Sequence, residues 1–275
     1  MSNLSITNLT ERRDLPGVIA QSARRTGVDF QYLIAQAQLE SGMQPQAKAQ
    51  TSSATGLYQF IDQTWLGLVK EKGDQYGLGW AQDAISRNGN GQLTVANKAQ
   101  KSSILALRNN PEISANLAGE FARDNSQYLE QKTGRKPESV DLYLAHFLGP
   151  AGAAKFLNEM DNNPGASAAS AFPAAARANR NVFFNSNGQT RSFEAIRGRF
   201  ERKLADAVDM VGRGNGLPPH GNILPQSGGT QRTVQPEDYL RIAQAHVDDK
   251  SHLNLPKPFS EPARAAYLML ATLGM

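Results

Sequence analysis

Asp-Phe-Gln-Tyr-Leu-Ile-Ala-Gln-Ala-Gln-Leu-Glu-Ser-Gly, residues 29–42, is written in a helical period. Asp29 is a good N-cap, and Phe30, Leu33, Ile34 and Ala37 follow at i, i+3, i+4 and i+7. Glu40 stands seven residues after Leu33 and three after Ala37, so its side chain points along the apolar stripe. A carboxyl there is partly desolvated, and desolvation disfavours the ionised form, which suits a general acid. Ser41 and Gly42 end the helix, with Gly42 a left-handed C-cap. On helix geometry alone, a solvated glutamate at a frayed helix end fits Glu40 as well.

The same period recurs along the chain. Apolar residues repeat at helical spacing over 15–25, 30–40, 62–72, 94–108, 111–132, 139–148 and 151–160, with Pro111 placed at a helix start. A further stripe, Phe193, Ile196, Phe200, Leu204 and Val208, marks an amphipathic helix within 192–211 that also carries Arg197, Arg199, Arg202 and Lys203. Such a stripe is expected to pack back on the rest of the chain, since leaving it open is costly. No strand is expected, so the fold class is all-α. Residues 1–14 read as a lead, 161–178 as an alanine-rich linker, 179–211 as a helical extension, and 212–275 as a Gly/Pro-rich linker and flexible tail with short helices near 236–246 and 261–273. The tail is too small for its own core and reads as a docking or export segment.

Downstream of Glu40-Ser41, about sixteen residues on, comes Gly56-Leu57-Tyr58-Gln59. The pair resembles the Glu-Ser and Gly-Leu-Met-Gln motifs of lytic transglycosylases with a goose-lysozyme-like catalytic domain. Pro111-Glu112-Ile113-Ser114-Ala115-Asn116 resembles the opening of that domain's long helix. Leu144-Ala145-His146-Phe147-Leu148-Gly149-Pro150 sits where the family has Ala-Ala-Tyr-Asn-Ala-Gly-Pro. The resemblance spans residues 15–160, the expected lysozyme-like catalytic domain. With Gly149-Pro150 as anchor, His146 replaces a tyrosine expected to hydrogen-bond the acid, and Phe147 replaces an asparagine. A histidine makes a similar bond and adds a group that titrates near neutrality. The bland reading of His146 is a core histidine, flanked as it is by Tyr143, Leu144, Phe147 and Leu148.

The resemblance implies cleavage of the β-1,4 bond between N-acetylmuramic acid and N-acetylglucosamine in peptidoglycan, with Glu40 as general acid and then base and a 1,6-anhydro product. Ser41, Gly56, Leu57, Tyr58, Gln59, Phe60, His146 and Phe147 are the substrate-binding candidates it implies. Gly56 allows close backbone approach, Tyr58 offers a ring and Gln59 an amide. Trp65, at helical spacing from Ile61 and Leu68, reads as core, while Tyr76 and Trp80 fit either core or groove. A hydrolytic muramidase on the same bond is the alternative, and it needs a second carboxylate, for which Asp62, Asp124 and Asp141 are available. A non-catalytic glycan-binding scaffold of an envelope-spanning or phage apparatus is the other, with His146 and Phe147 as its warning sign.

Composition bounds the remainder. The chain has 275 residues, no cysteine, four histidines and a net charge of +4. Disulfides and zinc thiolates are excluded, and no metal site or cofactor is expected. A mild basic excess suits an anionic wall, and without zinc spacing, a phosphate loop or an arginine run beyond local clusters such as Arg197-Gly198-Arg199, nucleic acid is not expected as a partner. The expected partners are glycan strands, and an envelope machine or phage component through the tail. The first residues lack the basic and apolar regions of a signal peptide, and no stretch reaches the ~18 apolar residues of a membrane span. The expected place of action is the periplasm or cell envelope, with the export route open.

Overall fold

The computed structural model describes residues 15–50 and 52–214. The expected lead, most of the Gly/Pro-rich linker and the tail with its two short helices lie outside the described residues.

Helix follows helix. α1 runs over Leu15–Thr26 and α2 over Phe30–Ser41. The Asp29 carboxylate caps α2 by accepting the Tyr32 backbone N–H at 2.9 Å. α3 covers Asp62–Lys72, followed by a 3₁₀ turn at Gly73–Tyr76 and the short α4 at Gly79–Ala84. α5 is Lys98–Ala106, continued by a 3₁₀ turn at Leu107–Asn109. α6, Pro111–Thr133, starts on the Asn110 side chain with Pro111 at its first position and ends at Gly134. α7, Ser139–Asn162, opens with a capping box between Glu138 and Asp141. Gly149, at φ 76° and ψ 160°, breaks α7 before Pro150. The two runs expected over 139–148 and 151–160 are therefore the two arms of one kinked element.

Two features differ from expectation. A two-stranded antiparallel hairpin, β1 (Ile85–Arg87) with β2 (Leu93–Val95), replaces the start of the helix expected from Thr94. The Asn88-Gly89-Asn90-Gly91 turn closes it: the Gly91 N–H donates to the Asn88 carbonyl, and Gly91 takes φ 77°. Residues 161–178, read as a linker with some helical capacity, are packed and not open. α7 extends to Asn162, and α8 (Ala168–Ala171) and α9 (Pro173–Ala178) send Ala168 and Ala176 into the core. The short α10 (Arg180–Phe183) buries Val182 and Phe183. Small side chains let these turns lie close to the core, which is why alanine-rich composition here does not mean an open linker.

The architecture is all-α apart from the small hairpin. α1 packs on α6, and α6 on α7. α11, Phe193–Gly214, lies along both α2 and α7 and buries Phe193, Ile196, Phe200, Leu204 and Val208, the stripe read from the sequence. Glu40 on α2 thereby sits where α2, α7 and α11 meet.

Candidate active site

Gly42 ends α2 in the left-handed conformation, φ 61° and ψ 40°, and returns its N–H to the Gln38 carbonyl at 2.9 Å. Ser41 is buried; its hydroxyl donates to the Ala37 carbonyl at 3.0 Å and accepts the Gln44 N–H at 3.1 Å. This turn fixes where the Glu40 carboxyl stands. The Glu40 side chain is 3% exposed, and its Oε1 lies 3.0 Å from Nε2 of His146, whose side chain is 2% exposed. The other ring nitrogen, Nδ1, lies 3.2 Å from Nε2 of Gln36. Tyr32, Gln36 and Glu40 follow at i, i+4 and i+8, so one face of α2 presents all three, and all are buried.

The next residues out belong to α7 and α11. The Tyr143 ring stacks on His146, 5.9 Å between centroids. Its hydroxyl accepts a hydrogen bond from Lys203 Nζ at 3.0 Å, and the ammonium also stands over the ring at 5.4 Å. Phe200 meets Tyr143 edge-on at 5.3 Å and Phe147 edge-on at 5.1 Å, so Phe147 belongs to the packing behind the histidine. Burial and the Glu40 charge push the Tyr32 and Tyr143 phenols well above the usual range. Burial lowers the Lys203 ammonium, and Glu40 opposes that effect.

The loop at 47–60 is a double tight turn. The Gly56 N–H donates to the Ala47 carbonyl at 2.8 Å and the Gln59 N–H to the Gly56 carbonyl at 3.2 Å. Gln59 holds a positive φ of 50°. Its side-chain amide donates to the carbonyls of Ala47 (3.0 Å) and Gly56 (2.9 Å), while Oε1 has no partner among the described residues. Leu57, Tyr58 and Phe60 turn into the core, where Phe60 packs on Trp65 at 5.5 Å. The Tyr58 hydroxyl is buried and has no partner among the described residues. Arg108 ties the loop down: its guanidinium donates to the carbonyls of Ser53 (2.8 Å) and Phe60 (2.9 Å) and to Asp62 (2.9 Å). Downstream, Tyr76 is half-buried and donates to Glu120 at 2.6 Å, and Trp80 is exposed.

Each aspartate weighed as a second carboxylate is held by a cation. Asp62 pairs with Arg108 at 2.9 Å, Asp124 with Lys72 at 2.9 Å, and the fully buried Asp141 with Arg135 at 2.8 Å and Arg197 at 2.9 Å.

Residues 17–89, which take in the buried glutamate and the glycine-started loop downstream of it, match the model described as the transglycosylase SLT domain. Residues 17–89 are similar to a lytic transglycosylase domain, and the all-α fold agrees with a lysozyme-like one. The match takes in Glu40 and the loop but ends before α6, so His146, Tyr143 and Lys203 lie beyond the matched stretch. Reading the sequence passed over Gln36, Tyr32, Lys203 and Arg108. For Gln36 and Tyr32 a signal existed, since polar groups four residues apart on the stripe of Glu40 need partners when buried. Lys203 carried none, because its neighbours here lie 60 residues and more away in the chain.

Proposed function

We propose that this lytic transglycosylase-type protein, which acts on peptidoglycan, cleaves the β-1,4 bond between N-acetylmuramic acid and N-acetylglucosamine with Glu40 as its one catalytic carboxyl. The observation that carries this reading is Glu40 itself, buried against a histidine at the end of α2; each of the three candidate second carboxylates is bound in an ion pair. The Glu40 O–H gives its proton to the glycosidic oxygen as the C1–O bond breaks. The carboxylate then takes the proton of the muramoyl 6-hydroxyl as O6 bonds to C1, which closes the 1,6-anhydro ring. The proton returns to Glu40 and no water is consumed. Hydrolysis with retention or inversion uses a second carboxylate about 5 to 9.5 Å away.

The half-exposed turn Gly42–Gln44 is the side from which a glycan strand reaches the acid. Gln59, Gly56, Leu57, Tyr58 and Phe60 shape the loop that forms one wall of the groove, braced by the Gln59 amide on the Ala47 and Gly56 carbonyls. Ser41 and His146 orient Glu40, and Phe147 supports the histidine. The wall is the substrate, so the place of action is the periplasm or cell envelope. A partner in an envelope or phage apparatus would engage residues 212–275. Among the described residues no helix is long and apolar enough to cross a membrane.

Digestion of purified peptidoglycan by wild type and Glu40→Gln, with mass spectrometry of the fragment ends, tests the reading. Anhydromuramoyl ends from wild type and a rate lowered by about 10²- to 10⁴-fold in the variant are expected. Reducing ends, or no soluble fragments from wild type, would overturn it.

A further inference from the structure

The proposed mechanism uses Glu40 but leaves the far side of His146 unexplained. Gln36 and Glu40 stand one turn apart on α2 and take opposite nitrogens of the same imidazole, at 3.2 Å and 3.0 Å. We propose that Gln36 is a positioning residue that sets which nitrogen of His146 carries hydrogen, so that Gln36, His146 and Glu40 hold the acid's proton as one row. The inference rests on the reading of Glu40 as the acid.

A carboxamide nitrogen only donates. With the Gln36 amide so placed, Nδ1 accepts from Gln36, and the hydrogen of the neutral imidazole sits on Nε2, donated to Glu40 Oε1. In this form of the row Nδ1 carries no hydrogen. Gln36 is buried at 3% exposure and its Oε1 has no partner among the described residues, an arrangement that is costly to keep. The unpartnered oxygen has a use once the row takes up a proton. Turning the amide over presents Oε1 to Nδ1–H, and the added proton lies between Nε2 and the Glu40 carboxyl. Delivery to the glycosidic oxygen removes that proton, and the 6-hydroxyl restores it, so the row starts and ends each cycle in one state. A tyrosine in place of His146 has a single polar atom and gives Gln36 nothing to read.

Other charged and titratable groups face the row from each packed helix. Tyr32 precedes Gln36 by one turn on α2, Tyr143 stacks on the imidazole from α7, and Lys203 reaches Tyr143 from α11. Both phenols are raised by burial.

The test uses the full chain and the pH dependence of peptidoglycan cleavage. Gln36→Glu offers Nδ1 an acceptor and no donor; it holds the added proton, and the alkaline limb of kcat should move up by about one pH unit or more. Gln36→Met offers neither; the limb should move down and kcat should fall about tenfold. Nitrogen-15 NMR of the histidine rings in wild type should show His146 in its neutral state as the Nε2–H form. Profiles that match wild type in both variants, or an Nδ1–H form in wild type, would overturn the inference, and the NMR result decides it if the variants do not fold. Should Glu40→Gln cleave as fast as wild type, the reading of Glu40 fails and this inference with it. An inactive Glu40→Gln beside unmoved Gln36 profiles sinks the inference alone.

Discussion

A methyl group at position 56 would run into the carbonyl oxygen of Arg108, and the backbone there already sits at φ 87°, a conformation that L side chains rarely adopt. Gly56→Ala therefore combines backbone strain with a clash against main chain that Arg108's own bonds hold in place. The expected cost is about 2–4 kcal/mol, read as a lower urea midpoint at unchanged slope. Cleavage should fall with it even where the variant folds, because the loop carrying Gln59 must shift. The need for glycine here was legible from the sequence only as a place where backbone comes close to a ligand. What approaches it was not, since Arg108 lies 55 residues from the Ser53 carbonyl it holds and buried arginines carry no local pattern.

At the scale of elements, helical stripes were the most readable signal, because each apolar repeat is a local property of the chain. The stripe of α11 was read correctly as one that buries itself, yet its importance to the site rests on what lies beneath it. Phe200 meets Tyr143 and Phe147 edge-on, and Tyr143 stacks on His146, so α11 braces the histidine through two rings. Phe200→Ala should cost about 3–5 kcal/mol and lower kcat more than it raises KM, because the ring it leaves loose orients His146 while the loop at 56–60 is untouched. Equal thermal midpoints for Phe200→Ala and wild type would contradict this packing. The hairpin at 85–95 was equally local and still passed over. Its Asn-Gly pairs are a strong turn signal, but the flanking strands have three residues each, too short for alternation to show.

For the whole molecule, the buried polar centre around Glu40 sets a limit at high pH. Tyr32, Tyr58 and Tyr143 are buried, and burial holds each phenol above its ordinary value of 10.0. A folded-state pKa above the unfolded one means that the native state keeps protons the unfolded chain would lose. The stabilisation is complete below about pH 10 and is lost as pH rises beyond it, by up to about 1.4 kcal/mol per pH unit for each phenol. Three such groups make alkaline unfolding steep. Urea midpoints should hold up to roughly pH 9 and fall sharply by pH 11, and the tyrosinate absorbance of these three residues should appear only with unfolding. Tyrosinate that forms in step with pH while the fold persists would mean that Tyr32, Tyr58 and Tyr143 are open to water. The same packing that desolvates Glu40 desolvates these phenols, so that result would also remove the physical ground for a buried acid at the end of α2.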